Sequence, residues 1–117
     1  MGKRQRRRAR QEPPAATSDY VDDDGNVLTL RDDLSAGTLR HLEELDARPA
    51  ASGEDRWQRR IEFLFERLAV RWELAGLPLE GQKELLGRYR MASSDERRQV
   101  REAIAEHLSK RHPEVEL

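Results

Sequence analysis

Histidine is the side chain best suited to proton transfer or metal binding near neutral pH, and the chain has three: His41, His107 and His112. His107 and His112 stand five apart rather than the three or four that align two side chains on one helix face. The chain also has no cysteine to complete a thiolate site. The sequence therefore predicts no metal and no cofactor. The histidines read as solvated, with His112 at a helix C-terminus where positive charge is welcome. The run Asp22-Asp23-Asp24-Gly25 invites a calcium loop. Setting Gly25 at the sixth loop position, however, puts Tyr20 at the first and Arg31 at the twelfth, where carboxylates are needed. A turn bearing solvated acids is the better reading. There is no phosphate-cradling glycine loop or nucleophile elbow, and no spacing pairs a nucleophile with a base, so enzymatic activity is not expected.

The remaining chemistry lies in charge. Residues 1–10 hold six cations (Lys3, Arg4, Arg6, Arg7, Arg8, Arg10) and no acid. Residues 11–50 hold ten acids against three bases, and residues 51–117 balance thirteen of each, so the formal net charge of −1 hides three zones. The basic zone, followed by Pro13-Pro14 and small residues, has nothing to bury; residues 1–18 read as a disordered tail. Such a tail could contact nucleic acid through phosphates in a salt-dependent, sequence-blind way, although it lacks interleaved aromatics for base stacking. The alternatives are a solubilising tail or one that folds back on the acidic 19–46 region.

Around these residues the chain must build one domain, over residues 19–117. Tyr20-Val21 and Val27–Leu30 flank the Asp/Gly/Asn cluster and read as a short hairpin that must lean on helices. A first helix is expected over Ala36–Ala47, capped by Ser35, with Leu39, Leu42 and Leu45 on one side. A second starts after Ser52 and runs unbroken to about Ala75, where Gly76 and Pro78 stop it. A third covers about Glu80–Met91, and a fourth starts with a Ser93–Glu96 capping box and ends near Arg111, before His112-Pro113. The expected fold class is mainly α: about four helices with a short N-terminal hairpin. No apolar run is long enough to span a bilayer and no secretory leader is visible, which points to the cytoplasm and no membrane partner. The preference for 19 Arg over 3 Lys suggests a GC-rich bacterial or phage genome.

The second helix carries the most information. At roughly 100° per residue, Trp57, Ile61, Leu64, Leu68, Trp72 and Ala75 form one stripe, with Phe65 at its margin. Phe63, Val70 and Leu74 form a smaller stripe on the far side. An arginine edge (Arg56, Arg60, Arg67, Arg71) and an acidic edge (Glu62, Glu66, Glu73) separate them. Either the hairpin or the first helix covers the second stripe, or Phe63, Val70 and Leu74 form a docking patch for a partner helix or a second copy, with Arg60 and Arg67 orienting it.

A β run entering a Leu-rich helix (Asn26-Val27-Leu28-Thr29-Leu30-Arg31, then Leu39, Leu42 and Leu45) is followed by a longer helix ending near Arg71-Trp72-Glu73-Leu74-Ala75-Gly76-Leu77-Pro78 and a final amphipathic helix. This layout, over about residues 19–112, resembles the tail assembly chaperones of long-tailed phages and prophages; the basic tail is a departure from it. The resemblance implies a non-enzymatic assembly chaperone that shields a long, helical, tape-measure-like client until tube subunits displace it. The alternative is a small bacterial nucleic-acid-associated or regulatory protein working through Lys3 to Arg10.

Overall fold

The computed structural model describes residues 16–115 and 117. Strand β1 (Thr17–Val21) and strand β2 (Val27–Arg31) form the expected hairpin, and helix α1 (Ala36–Ala47) follows. Helix α2 (Gly53–Leu68) leads directly into strands β3 (Ala69–Leu74) and β4 (Leu77–Glu80). Helices α3 (Gln82–Arg90) and α4 (Ser94–Arg111) complete the chain. The strands make one antiparallel sheet in the order β1-β2-β3-β4. The fold is therefore mixed α/β, a correction to the mainly α class expected from the sequence.

Three of the four helices start where a serine cap directs. Ser35 accepts from Thr38 N, Ser52 from Asp55 N, and Ser93 makes a reciprocal capping box with Glu96. At the hairpin turn the Asp22 carboxylate accepts from the Asp24 and Asn26 amides, both at 2.9 Å, and Gly25 takes the left-handed conformation its missing Cβ allows. Strand β1 begins at Thr17, two residues inside the segment expected to be disordered. Residues 1–15, including Lys3, Arg4, Arg6, Arg7, Arg8 and Arg10, lie outside the described residues.

The long second helix is the main error in the sequence reading. It stops at Leu68, and the chain turns extended at Ala69. Val70-Arg71-Trp72-Glu73-Leu74 alternates apolar and polar, the period of a half-buried strand. The free edge of β2 supplies the hydrogen-bonding partner, with Leu28 opposite Trp72 and Thr29 opposite Arg71. Leu64, Leu68 and Trp72 disguise the switch, because a spacing of four suits a helical period near 3.6 and a strand period of 2 equally well. Gly76 does end a regular element, but as part of a two-residue hairpin turn, Ala75-Gly76, in which both residues have positive φ, 52° and 79°. Pro78 sits on edge strand β4, where a missing N–H is tolerated. Ala75 is the one non-glycine described residue with positive φ. Ala75→Asn should therefore raise the unfolding free energy by about 0.5–1 kcal/mol, measured by urea denaturation, since Asn-Gly is the favoured pair for this turn.

The sheet turns one face to the helices and the other to solvent. Leu28, Leu30, Ala69 and Trp72 pack against Ile61, Leu64, Phe65, Leu68, Leu85, Tyr89, Val100, Ile104 and Leu108, with Leu42 of α1 closing the far side. Register places Asp19, Thr29, Arg71 and Glu80 in one cross-strand row, opposite in pleat to the Leu28–Trp72 pair. Between Thr29 and Leu30 the register shifts, so that Val70 becomes an extra residue and Ala69 rejoins the core side.

Candidate functional site

Helix α2 lies between α1 and α3, and its outer side forms the floor of two surface grooves. One, of about 310 Å³, holds Phe63 between Leu45 of α1 and Leu86 of α3, with Asp55, Glu62 and Arg90 at its rim. The other, of about 440 Å³, holds Val70 between Leu34 and Leu85, with Arg67 and Gln82 beside it. Glu66 belongs to both. The Arg67 guanidinium stands 5.0 Å over the Phe63 ring, the reach of a cation–π contact, and so ties the residues of the two grooves together.

The five residues expected to form a docking patch are thus partly dispersed. Phe63, Val70 and Arg67 remain together along the outer side of α2, all half-buried. Val70 and Leu74 are strand residues rather than part of a helical stripe, and Leu74 packs against the core at the end of β3. Arg60 pairs with Asp46 of α1 and braces α1 against α2, so it is a strut rather than a rim charge. The rim charges that remain are compensated locally: Arg59 meets Asp55 at 3.1 Å and Arg90 meets Glu62 at 2.9 Å. Exposed pairs of this kind contribute little to stability but do set the orientation of a partner.

A third concavity was not anticipated from the sequence. Between β1, the hairpin turn and α4 runs a groove of about 280 Å³, floored by Leu28, Trp72, Val100 and Ala103 and edged by Asp19, Asp22, Asp23, Glu102 and Glu106. Gln99 joins its two walls: its Oε1 accepts from the Asp23 amide at 3.0 Å and its Nε2 donates to Asp24 at 3.2 Å.

Beyond the end of that groove lies a polar network, and it corrects the reading of the histidines as solvated. His107 is fully buried. Its Nε2 lies 2.7 Å from the Arg31 carbonyl, which can only accept, so that nitrogen carries the proton. Its Nδ1 then accepts from the Tyr20 hydroxyl at 2.7 Å. Burial is the main influence holding the imidazole pKa below its ordinary 6.5. Asp32, also buried, accepts from Ser18 at 2.5 Å and pairs with Arg111 at 3.2 Å. His112 is mostly buried too, with Nε2 3.0 Å from the Asp32 carbonyl, while His41 is exposed as expected. The missed signal was positional. His107 follows Val100 by seven residues and Ile104 by three, which puts it on the buried stripe of α4.

Chemically, the network holds α4 onto the hairpin. Both ring nitrogens of His107 are occupied, leaving no lone pair to take a proton from a substrate. Among the described residues no group of three or more His, Asp or Glu side chains could hold a metal ion, and no helix is long and apolar enough to cross a membrane. No family model, curated protein or solved structure matches the chain.

Proposed function

We propose that the protein is a non-enzymatic, cytoplasmic binding factor whose partner is an amphipathic helical segment laid along the outer side of α2. The observation that carries this reading is the pair of grooves sharing Glu66, with Phe63 in one and Val70 in the other. Phe63 lies five helical steps before the end of α2 and Val70 two extended steps beyond it, a span of about 7.5–14 Å at roughly 1.5 Å and 3.3 Å per residue, which brackets the ~10 Å between i and i+7 anchors of a bound helix. Shallow grooves with self-paired rims fit a client that is held weakly and released to a competing subunit. The resemblance to tail assembly chaperones supplies the client class, a long helical protein shielded until tube subunits polymerise around it. One part of that layout changes, since Trp72 sits on β3 rather than at the end of a helix. The nucleic-acid alternative depends on residues outside the described ones. Residues 16–117 hold 16 of the 22 basic and 22 of the 23 acidic residues, a net of −6 that disfavours phosphate contact.

The test uses labelled amphipathic helical peptides with apolar anchors seven residues apart, and fluorescence anisotropy with the full chain. Val70→Asp and Phe63→Asp should each weaken binding at least about ten-fold, roughly 1.4 kcal/mol. Cooperative unfolding should persist, with stability lowered by no more than about 2 kcal/mol. Unchanged binding would remove the grooves from the function. Unfolding of both variants would make Phe63 and Val70 core residues, and loss of self-association instead of peptide binding would make a second copy the occupant.

A further inference from the structure

The acidic groove shares no lining residue with the two grooves along α2 and calls for a different occupant. Its floor is apolar, and the Tyr20 ring lies along one wall. The charge at its edge is incompletely neutralised. Glu106 pairs with Lys110, and Glu102 with Arg98, in exposed contacts within α4. Among the described residues, Asp19, Asp22, Asp23 and Asp24 make no ion pair; their bonds run to a hydroxyl, backbone amides and the side-chain amides of Asn26 and Gln99. Asp22, Asp23 and Asp24 therefore cluster at the turn end of the trough with no cation set against them, while Asp19 points to the solvent face of the sheet beside Thr29 and Lys110 stands over the Tyr20 ring.

The complementary charge is in the same chain. Strand β1, which forms one wall of the groove, begins at Thr17, and the six cations from Lys3 to Arg10 lie a few residues before it. Arg10 lies seven steps along the chain from Thr17, a reach of up to about 23 Å at roughly 3.3 Å per residue. The five residues of β1 span only about 17 Å. A segment leaving Thr17 can therefore turn back and bring its arginines past Tyr20 as far as the hairpin turn. We propose that the groove between the β1–β2 turn and α4 binds the arginine-rich segment Lys3–Arg10 of its own chain. Guanidinium groups pair with Asp23 and with the Glu102–Glu106 edge, while their methylene stems lie on Val100 and Ala103. Tethering keeps the segment at millimolar effective concentration, so each individual contact need only be weak.

The experiment compares trypsin cleavage after Arg4 to Arg10 in the full chain and in a full-length variant carrying Asp23→Asn, Glu102→Gln and Glu106→Gln. At low salt, cleavage of the unaltered chain should be about ten-fold slower than that of the variant, because proteolysis tracks the population of the open form. The difference should vanish near about 1 M salt, where the Debye length falls to ~3 Å. In parallel, replacing Arg4, Arg6, Arg7, Arg8 and Arg10 with Gln should shift the amide resonances of Val21, Val100 and Ala103 and leave those lining the α2 grooves in place. This second arm decides the matter if the acid variant fails to fold. Equal cleavage rates in folded proteins, or unmoved groove resonances, would overturn the proposal. Protection that grows with protein concentration would assign the groove to a second copy's segment and overturn the intramolecular assignment.

Discussion

Replacing Phe65 with alanine should lower the unfolding free energy by about 3–5 kcal/mol, measured by urea denaturation at neutral pH. Phe65 is completely buried where α2 meets both the sheet and α3. Its ring stacks on Tyr89 with centroids 4.9 Å apart and meets Trp72 edge-on at 5.7 Å. Truncation removes the transfer free energy of the ring, leaves a cavity the neighbours cannot close, and breaks two aromatic contacts worth about 0.5–1.5 kcal/mol each beyond their area. A domain of about 100 residues holds only about 5–15 kcal/mol in total, so the variant should be largely unfolded at moderately raised temperature. Phe65→Leu keeps most of the volume and should cost clearly less. If alanine costs under about 1 kcal/mol, the three-ring cluster is not the centre of the core.

His107→Leu should cost about 2–4 kcal/mol and remove a pH dependence. Leucine fills the space but leaves the Arg31 carbonyl without its donor and the Tyr20 hydroxyl without its acceptor. The sign of the pH effect follows from burial, which holds the folded pKa below 6.5, while the unfolded chain takes a proton near 6.5. Between those values the unfolded state binds more protons. The contribution is therefore complete above about pH 6.5 and is lost as pH falls through the folded pKa. Asp95 and Glu96, both depressed mainly by hydrogen bonds, from Arg98 and from the Ser93 backbone respectively, act in a lower window. Their contribution is present above their ordinary 3.8 and 4.5 and is lost in more acid solution. Unfolding curves between pH 5 and 7.5 should thus show stability falling toward acid in the unaltered chain and a flatter profile in His107→Leu. Equal slopes would mean that another group titrates there. Tyr20→Phe should retain most of the pH dependence, since it removes the hydroxyl and leaves the imidazole buried.

Much of this chain is written locally. Ser35, Ser52 and Ser93 place three helix starts because a capping oxygen satisfies amides within three residues of itself, whatever the rest of the fold does. The Asp22–Asn26 turn closes through side-chain bonds across four residues at most, so its hairpin was legible as well. Phe63 and Val70 were also found in the sequence as apolar residues off the main stripe. The structure keeps both half-buried, although the helical stripe that grouped them with Leu74 does not exist.

What tertiary structure alone decided are the elements whose partners lie far away in sequence. Residues 69–74 alternate like a strand yet continue a helical spacing, and only the open edge of β2, some forty residues earlier, resolves the ambiguity, since a lone hairpin has unpaired backbone groups to satisfy and little stability of its own. His107 on the buried stripe could have read as exposed or buried. The Arg31 carbonyl and the Tyr20 hydroxyl, 76 and 87 residues away, are what make burying it affordable. The acidic groove exists only because α4 packs beside the hairpin, which brings Glu102 and Glu106 to the aspartates of the turn. Capping and turn chemistry act over a few residues and can be read from them; strand pairing, buried polar satisfaction and concave surfaces depend on what the folded chain brings alongside.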